Sequence, residues 1–158
     1  MKRFQPMILL RALPMLLAGM FLPVTAWAGD GMIRITSHHD VAETEERLLS
    51  ALEEKGFTVM ARVDHAAGAR SVDLELEPTR LVIFGNPAGG TRLMQCRPGM
   101  AIDLPMKMLI WRDGNEVRVA YNSADYLAER HDLGDCAAPV QEKMGKVLDA
   151  LAHHAAGR

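Results

Sequence analysis

The sequence predicts an α+β domain of two layers, with an antiparallel sheet packed against amphipathic helices. Three observations support this fold class. Asp113-Gly114 lies between two strand-like stretches, and this dipeptide favours the tight turn of an antiparallel hairpin. Other stretches alternate apolar and polar residues with the period of two that is typical of half-buried strands. Two more repeat apolar residues at helical spacing, and such faces need a sheet to cover them.

The first strand and first helix are predicted from residues 32–56. Residues 32–36 (MIRIT) alternate in the manner of a strand with one face inside. Asp40 and Glu43 have the spacing of a capping box, so a helix is expected to begin directly after Asp40. Gly56 stands where a left-handed residue ends a helix. Apolar residues repeat at helical spacing between these signals, at Val41, Leu48 and Leu52.

Two strands and two short helices are predicted next. Residues 57–63 (FTVMARV) alternate, and residues 65–70 fit one helical turn. Residues 81–84 (LVIF) have no polar face, which predicts a central strand covered on both sides. The glycine-rich turn that follows leads to Thr91, a candidate cap for a short helix that runs to about Cys96.

The last third predicts the hairpin and two helices. Its strands are residues 104–111 and 116–121. Asn122 or Ser123 can cap a short helix that runs through His131. A longer C-terminal helix follows, with Pro139 in its first turn. Its apolar stripe is Val140, Met144, Val147, Leu148, Leu151 and Ala155.

Residues 1–28 have the features of a signal peptide. Three basic side chains precede an apolar stretch at 12–24, and Ala26-Trp27-Ala28 supplies the small residues that a signal peptidase recognises. The apolar stretch is shorter than the roughly 20 residues that span a bilayer, although an uncleaved anchor is the alternative. We therefore expect a single domain, residues 29–158, that is periplasmic or secreted and has no stable membrane anchor.

Loss of this leader makes the chain acidic. Because the leader holds three basic and no acidic residues, the mature chain keeps 15 Lys+Arg against 20 Asp+Glu. Nucleic-acid binding draws on clustered basic side chains, so nucleic acid is not an expected partner.

An oxidising compartment also favours a disulfide between Cys96 and Cys136, while two buried or reactive thiols are the alternative.

Several motifs resemble a known family, the domain of unknown function 302 (DUF302). They are residues 61–67 (ARVDHAA), Phe84-Gly85-Asn86-Pro87 with Gly90-Thr91, residues 101–105 (AIDLP) and Tyr121-Asn122. The resemblance covers most of the chain after residue 33. It implies a fold similar to that of the TATA-binding protein, with a curved antiparallel sheet and a long C-terminal helix. It also implies a homodimer, but no established activity.

The polar residues of these motifs are the candidate site. We expect the ligand-binding residues to be His65, Asn86, Thr91, Asp103 and Tyr121, around a cleft between sheet and helix. The structural alternative is that Asp64 and Asn86 cap turns, and that Asp103 pins the strand after it.

Three functions remain open at this point. The favoured one is a non-catalytic module that binds a small ligand or a partner. The second is a hydrolase or isomerase with His65 as general base and Asp64 or Asp103 orienting it. The third is a metal-handling or redox protein that depends on Cys96 and Cys136.

No metal site and no cofactor are expected. Adjacent histidines point in different directions, so His38-His39 and His153-His154 are not chelating motifs by themselves. Met106 and Met108 share a strand face, which is how methionines that fill a core behave. The glycines of residues 85–90 lack a P-loop lysine and dinucleotide spacing.

Overall fold

A computed structural model describes residues 30–158, so the predicted signal peptide at residues 1–28 lies outside the described part. The chain forms five strands and five α-helices, with one 3₁₀ turn at Pro98–Ile102. The strands are β1 (Met32–Ser37), β2 (Thr58–Asp64), β3 (Thr79–Gly85), β4 (Met106–Asp113) and β5 (Glu116–Asn122). The helices are α1 (Val41–Glu54), α2 (His65–Arg70), α3 (Pro87–Cys96), α4 (Ala124–Arg130) and α5 (Gly134–Ala156).

The five strands form one antiparallel sheet in the order β1-β5-β4-β3-β2, which confirms the α+β prediction. The predicted hairpin joins β4 to β5, and its last paired residues are Asp113 and Glu116. Gly114 has a φ of +60°, the positive φ that the tight turn of an Asp-Gly hairpin requires. Within residues 30–158, no helix combines the length and the apolar character that crossing a membrane requires.

One face of the sheet supplies the core. Residues paired across neighbouring strands point to the same face, as Phe84 does with Met106 and Ile110 with Val119. Helices α1 and α5 pack on this face and on each other. The largest side chains that this layer buries are Phe84, Leu48, Leu52, Leu93, Met100, Met108, Ile110, Leu127, Leu148 and Leu151.

Local signals set the ends of the helices. The Asp40 side chain accepts a hydrogen bond from the backbone N–H of Glu43 at 2.8 Å, so the predicted cap of α1 is confirmed. Gly56 follows α1 with a φ of +70°. Ser123 caps α4 by accepting from the backbone N–H of Tyr126.

The structure corrects two predicted helix starts. Helix α3 begins at Pro87 and not at Thr91, because the Asn86 side chain accepts from the backbone N–H groups of Ala88 and Gly89. Helix α5 begins at Gly134, so Pro139 lies inside it and not in its first turn.

Two strand predictions are also corrected. The prediction that residues 81–84 are covered on both sides is wrong, because Leu81 and Ile83 stay half-buried while Val82 and Phe84 are buried. Strand β2 does not alternate throughout, since its register against β3 shifts between Val59 and Ala61. Such a bulge gives the strand an extra residue and moves later side chains to the other face.

Glu45 ties the helix layer to one edge of the sheet. Its side chain is 2% exposed and pairs with Arg62 on β2, at 2.8 Å, and with Arg80 on β3. Burial alone would raise the pKa of Glu45, but the hydrogen bonds from both arginines outweigh it, so the pKa lies below its usual value of 4.5. The carboxylate is thus ionised inside the layer interface.

A disulfide joins helix α3 to helix α5. The sulfur atoms of Cys96, at the end of α3, and Cys136, in the first turn of α5, lie 2.03 Å apart. The bond closes a loop across 40 residues of sequence. It fixes the start of the long helix against the chain that leads into β4.

Glu45→Gln is expected to lower the free energy of unfolding at pH 7 by about 2 kcal/mol, because it removes the charged acceptor of two arginines. Since the pKa of Glu45 is lower in the folded state than in the unfolded chain, its contribution is present above about pH 4.5 and is lost as the pH falls through the folded value. Urea unfolding of both proteins should therefore show a difference at pH 7 that shrinks as the pH falls below about 4.5. Glu53→Gln, on an exposed position of the same helix, is the matched control. A difference that stays constant with pH would contradict this assignment.

Removal of the disulfide by Cys96→Ser with Cys136→Ser should cost about 3 to 4 kcal/mol, because the unfolded chain gains loop entropy. Urea unfolding measures the loss, and wild-type protein unfolded with a reductant should show the same midpoint as the variant. Protein purified without a reductant should not react with a thiol-alkylating reagent until it is reduced. Free thiols in that protein would rule the bond out.

Candidate functional site

The face of the sheet away from α1 and α5 carries an apolar row. Cross-strand pairs place Val63, Leu81, Leu109 and Ala120 side by side across four strands, and Arg34 ends the row on β1. We call this surface the open face; it also includes Met32, Ile83, Lys107, Trp111 and Asn122. Leu81 and Leu109 of this row are half-buried, Val63 is exposed, and Ala120 is buried at 1% exposure. An apolar surface of this kind on a sheet usually marks a binding site.

A cavity of about 180 Å³ lies on the open face where β4 begins and β5 ends. Its lining is mainly apolar, with Met32, Leu81, Met106, Leu109, Ala120 and Leu127. Three polar residues complete the lining, namely Asp103, Lys107 and Asn122. An apolar hollow with a few convergent polar groups is the usual form of a small-molecule site.

Lys107 is held in place by the loop before β4. Its ammonium group donates to the backbone carbonyl oxygens of Asp103, at 3.0 Å, and Pro105, at 2.8 Å. Because an ammonium group has three N–H donors, one remains after these two bonds. The backbone of this loop therefore positions a positive charge at the cavity.

Asp103 is the centre of a second set of contacts. Its Oδ2 lies 2.5 Å from Nε2 of His131 and 3.0 Å from Nε of Arg130, both at the C-terminal end of α4. Arg130 also donates to the Tyr126 hydroxyl at 3.2 Å, and this bond raises the pKa of the guanidinium. The Asp103 and His131 side chains are only 19% and 11% exposed. Both contacts converge on Oδ2, so the carboxylate is tied to the end of α4 through this one oxygen.

A wider depression of about 380 Å³ lies along the segment after α2. It is lined by Arg70, Glu75, Leu76, Glu77 and Pro78, all of which are exposed. No buried polar side chain lines it, so it lacks the fixed groups that define a binding site.

The predicted site residues do not surround one cleft. Asp64, at the end of β2, pairs with Arg80 at the start of β3, whereas Asn86 follows the end of β3. At about 3.3 Å per residue, the chain from Arg80 to Asn86 spans about 20 Å. His65 and Asn86 therefore lie near opposite ends of the same strand, which corrects the expectation that they share a cleft.

Asp64 and Asn86 each have a local structural role. The Asp64 carboxylate caps α2 by accepting from the backbone N–H of Ala67 at 2.8 Å, and this bond lowers its pKa. Asn86 caps α3 in the same way, and Thr91 is exposed inside that helix. His65 is exposed in the first turn of α2. These positions follow the structural alternative stated from the sequence.

Tyr121 lies on the core face of β5, away from the cavity. Its hydroxyl donates to Asp149 of α5 at 3.4 Å. Burial raises the pKa of Tyr121 to about 12, and the Asp149 carboxylate acts in the same direction. The phenol therefore stays protonated and links β5 to α5.

Of the five predicted ligand residues, the structure places Asp103 alone at the cavity of the open face. Sequence analysis missed Lys107, Asn122, Arg130 and His131. A usable signal existed for Lys107, because a single charge inside the apolar run LPMKMLIW must leave the core face that Met106 and Met108 share. Nothing in the sequence joined His131 to Asp103, 28 residues away.

Residues 30–158 contain no group of three or more His, Cys, Asp or Glu side chains with an arrangement that could hold a metal ion. Both cysteines of this part of the chain are in the disulfide.

Comparisons with known proteins give one family and one fold. The model of the family described as "Domain of unknown function DUF302" matches residues 33–151. A crystal structure of an uncharacterized conserved DUF302 protein from Bacillus stearothermophilus superimposes with a TM-score of 0.72. The match covers 80% of this chain and 98% of that one at 16% identity, so it shows the fold alone.

The curated relatives are longer proteins that are named as fluoride-specific ion channels. A protein of Brucella suis named "Fluoride-specific ion channel FluC 1" is 43% identical over 113 residues, which is 71% of this chain and 44% of the relative. A protein of Brucella melitensis named "Fluoride-specific ion channel FluC 2" matches at the same identity, over 42% of its length. This chain thus spans less than half of the length of these relatives.

Asn86→Ala is expected to lower the free energy of unfolding by about 1 kcal/mol, because two N–H groups at the start of α3 lose their acceptor. Asn86→Ser should restore most of this stability, since serine is also a good N-cap. Thr91→Ala, on the exposed surface of the same helix, should change it by less than about 0.5 kcal/mol. Chemical unfolding of the three variants tests the assignment. If Asn86→Ala kept full stability, the cap would not be the role of Asn86.

Proposed function

Because the chain belongs to the DUF302 family, in which the matched domain has no assigned function, we propose that it is an exported, non-catalytic module that binds a small ligand. The ligand site of this proposal is the cavity of the open face, with Asp103, Lys107 and Asn122 as its polar groups. This keeps the kind of function expected from the sequence and moves the site from the sheet-helix cleft to the other face.

One observation carries the proposal. An ammonium group on the lining of a mainly apolar cavity is anchored by two backbone carbonyls, on the sheet face away from α1 and α5. A lysine that served only solubility would extend into solvent and not be tethered by its own loop. The tether restricts the ammonium group before a ligand arrives, which lowers the entropy cost of binding.

The contacts around the candidate bases favour binding over catalysis. His65 is exposed and lies next to Asp64, whose carboxylate is already the cap of α2. The other candidate partner, Asp103, contacts His131 and Arg130. An Asp103 carboxylate held by the Arg130 guanidinium and the His131 ring is better suited to fix the local surface than to accept a proton.

Export, ligand identity and self-association also belong to the proposal. The leader at residues 1–28 supports export, and the Cys96–Cys136 pair fits an oxidising compartment. The homodimer implied by the family resemblance stays a prediction.

The test is a binding screen on the protein lacking residues 1–28, followed by backbone amide chemical shifts. The set contains small carboxylates, amines, amides and alcohols, and also sodium fluoride, because the curated relatives are named as fluoride channels. We expect at least one compound to shift the amides of Leu109, Ala120 and Asn122 together. Leu109→Trp should abolish these shifts by filling the cavity.

Val63→Trp is the matched control, since Val63 belongs to the same row but does not line the cavity. It should leave the shifts unchanged. Shifts that scatter over the surface, or that survive Leu109→Trp, would contradict the proposed site.

A further inference from the structure

We infer that the cavity of the open face takes a small monocarboxylate with a short aliphatic chain, and that Lys107 is the residue that selects the anion. This inference rests on the proposed function and adds the chemical class of the ligand. It is carried by the charge balance, the lining and the size of the cavity.

The charges at the cavity favour an anion. Lys107 is the one cation of the lining and Asp103 its one carboxylate. Asp103 pairs with Arg130, which lies outside the lining, whereas Lys107 binds two backbone carbonyls and not this carboxylate, so its positive charge remains available to an anion. The Asp103 carboxylate is engaged by Arg130 and His131, which reduces its repulsion of a second carboxylate. The third N–H of Lys107 is the donor left for the ligand. Asn122 can add an amide N–H from the neighbouring strand.

The rest of the lining favours an aliphatic chain. Six of the nine lining residues are apolar, and Leu81, Leu109 and Ala120 form a continuous row on neighbouring strands. A carboxylate at Lys107 would let an attached alkyl chain lie along this row and remove apolar surface from water. A polyanion or a sugar would instead leave polar groups without partners against these side chains.

The volume limits the length of the ligand. About 180 Å³ is below the roughly 300 to 1,000 Å³ of sites for drug-sized ligands, so a ligand with a few carbon atoms is expected. Longer chains would extend over the open face. For a ligand of this size we expect roughly millimolar affinity.

The experiment titrates butyrate, butyramide and butylamine, which share a carbon skeleton and differ in charge. Amide chemical shifts of Leu109, Ala120 and Asn122 report binding. We expect butyrate to bind at least about tenfold more tightly than either analogue, a ratio that equals about 1.4 kcal/mol. Lys107→Met should weaken butyrate at least as much, and Lys107→Arg should restore most of the affinity by keeping the charge.

Lys146→Met, on the exposed surface of α5, is the control for a general change of charge and should bind butyrate normally. If Lys107→Met does not fold, the ratio of butyrate to butyramide on the unaltered protein decides the question. Equal binding of all three compounds in the cavity would overturn the anion class and leave the binding module intact. If neither these compounds nor any of the screening set bound there, the proposed function would fail as well.

Discussion

The packing of two amphipathic helices on one face of a five-stranded sheet is the constraint from which the rest of the structure follows. Leu48 and Leu52 of α1 and Leu148 and Leu151 of α5 are almost fully buried. Since side chains alternate along a strand, every strand that commits one set of residues to this layer turns the other set outward. The apolar residues in that outward set form the open face, where burial ranges from the exposed Val63 to the buried Ala120.

Two different kinds of bond stabilise the helix layer. Ionised Glu45 of α1 pairs with Arg62 and Arg80, so the edge strand β2 with its bulge is tied to α1. The Cys96–Cys136 disulfide joins α3 to α5. The chain between that bond and β4 contains Asp103, and its contacts with α4 and Lys107 shape the cavity. The covered face therefore supplies rigidity to a site on the uncovered one.

Much of the fold could be predicted from the sequence because its signals are local. Asp113-Gly114 fixes a turn, and Asp40 caps a helix through an atom three residues away. The errors arose where two local signals competed. Thr91 and Pro139 resemble first-turn residues, but Asn86 and the turn at Gly134 provide earlier starts. The alternation in the sequence does not reveal the bulge in β2, because apolar residues occur in the strand both before and after the register shift.

The site was harder to predict because its residues meet only through the topology. The sequence does not distinguish between the polar motif residues that follow different strands. Because β2 and β3 are antiparallel, their C-terminal ends lie at opposite ends of the sheet, which separates His65 from Asn86. Asp103 lines the cavity because its loop lies next to the end of β5 and contacts the end of α4. Lys107 was the most predictable of these residues. Within a strand whose other face is core, a single lysine has to project to the opposite side, and there its ammonium group is held by two backbone oxygens and does not extend freely into solvent.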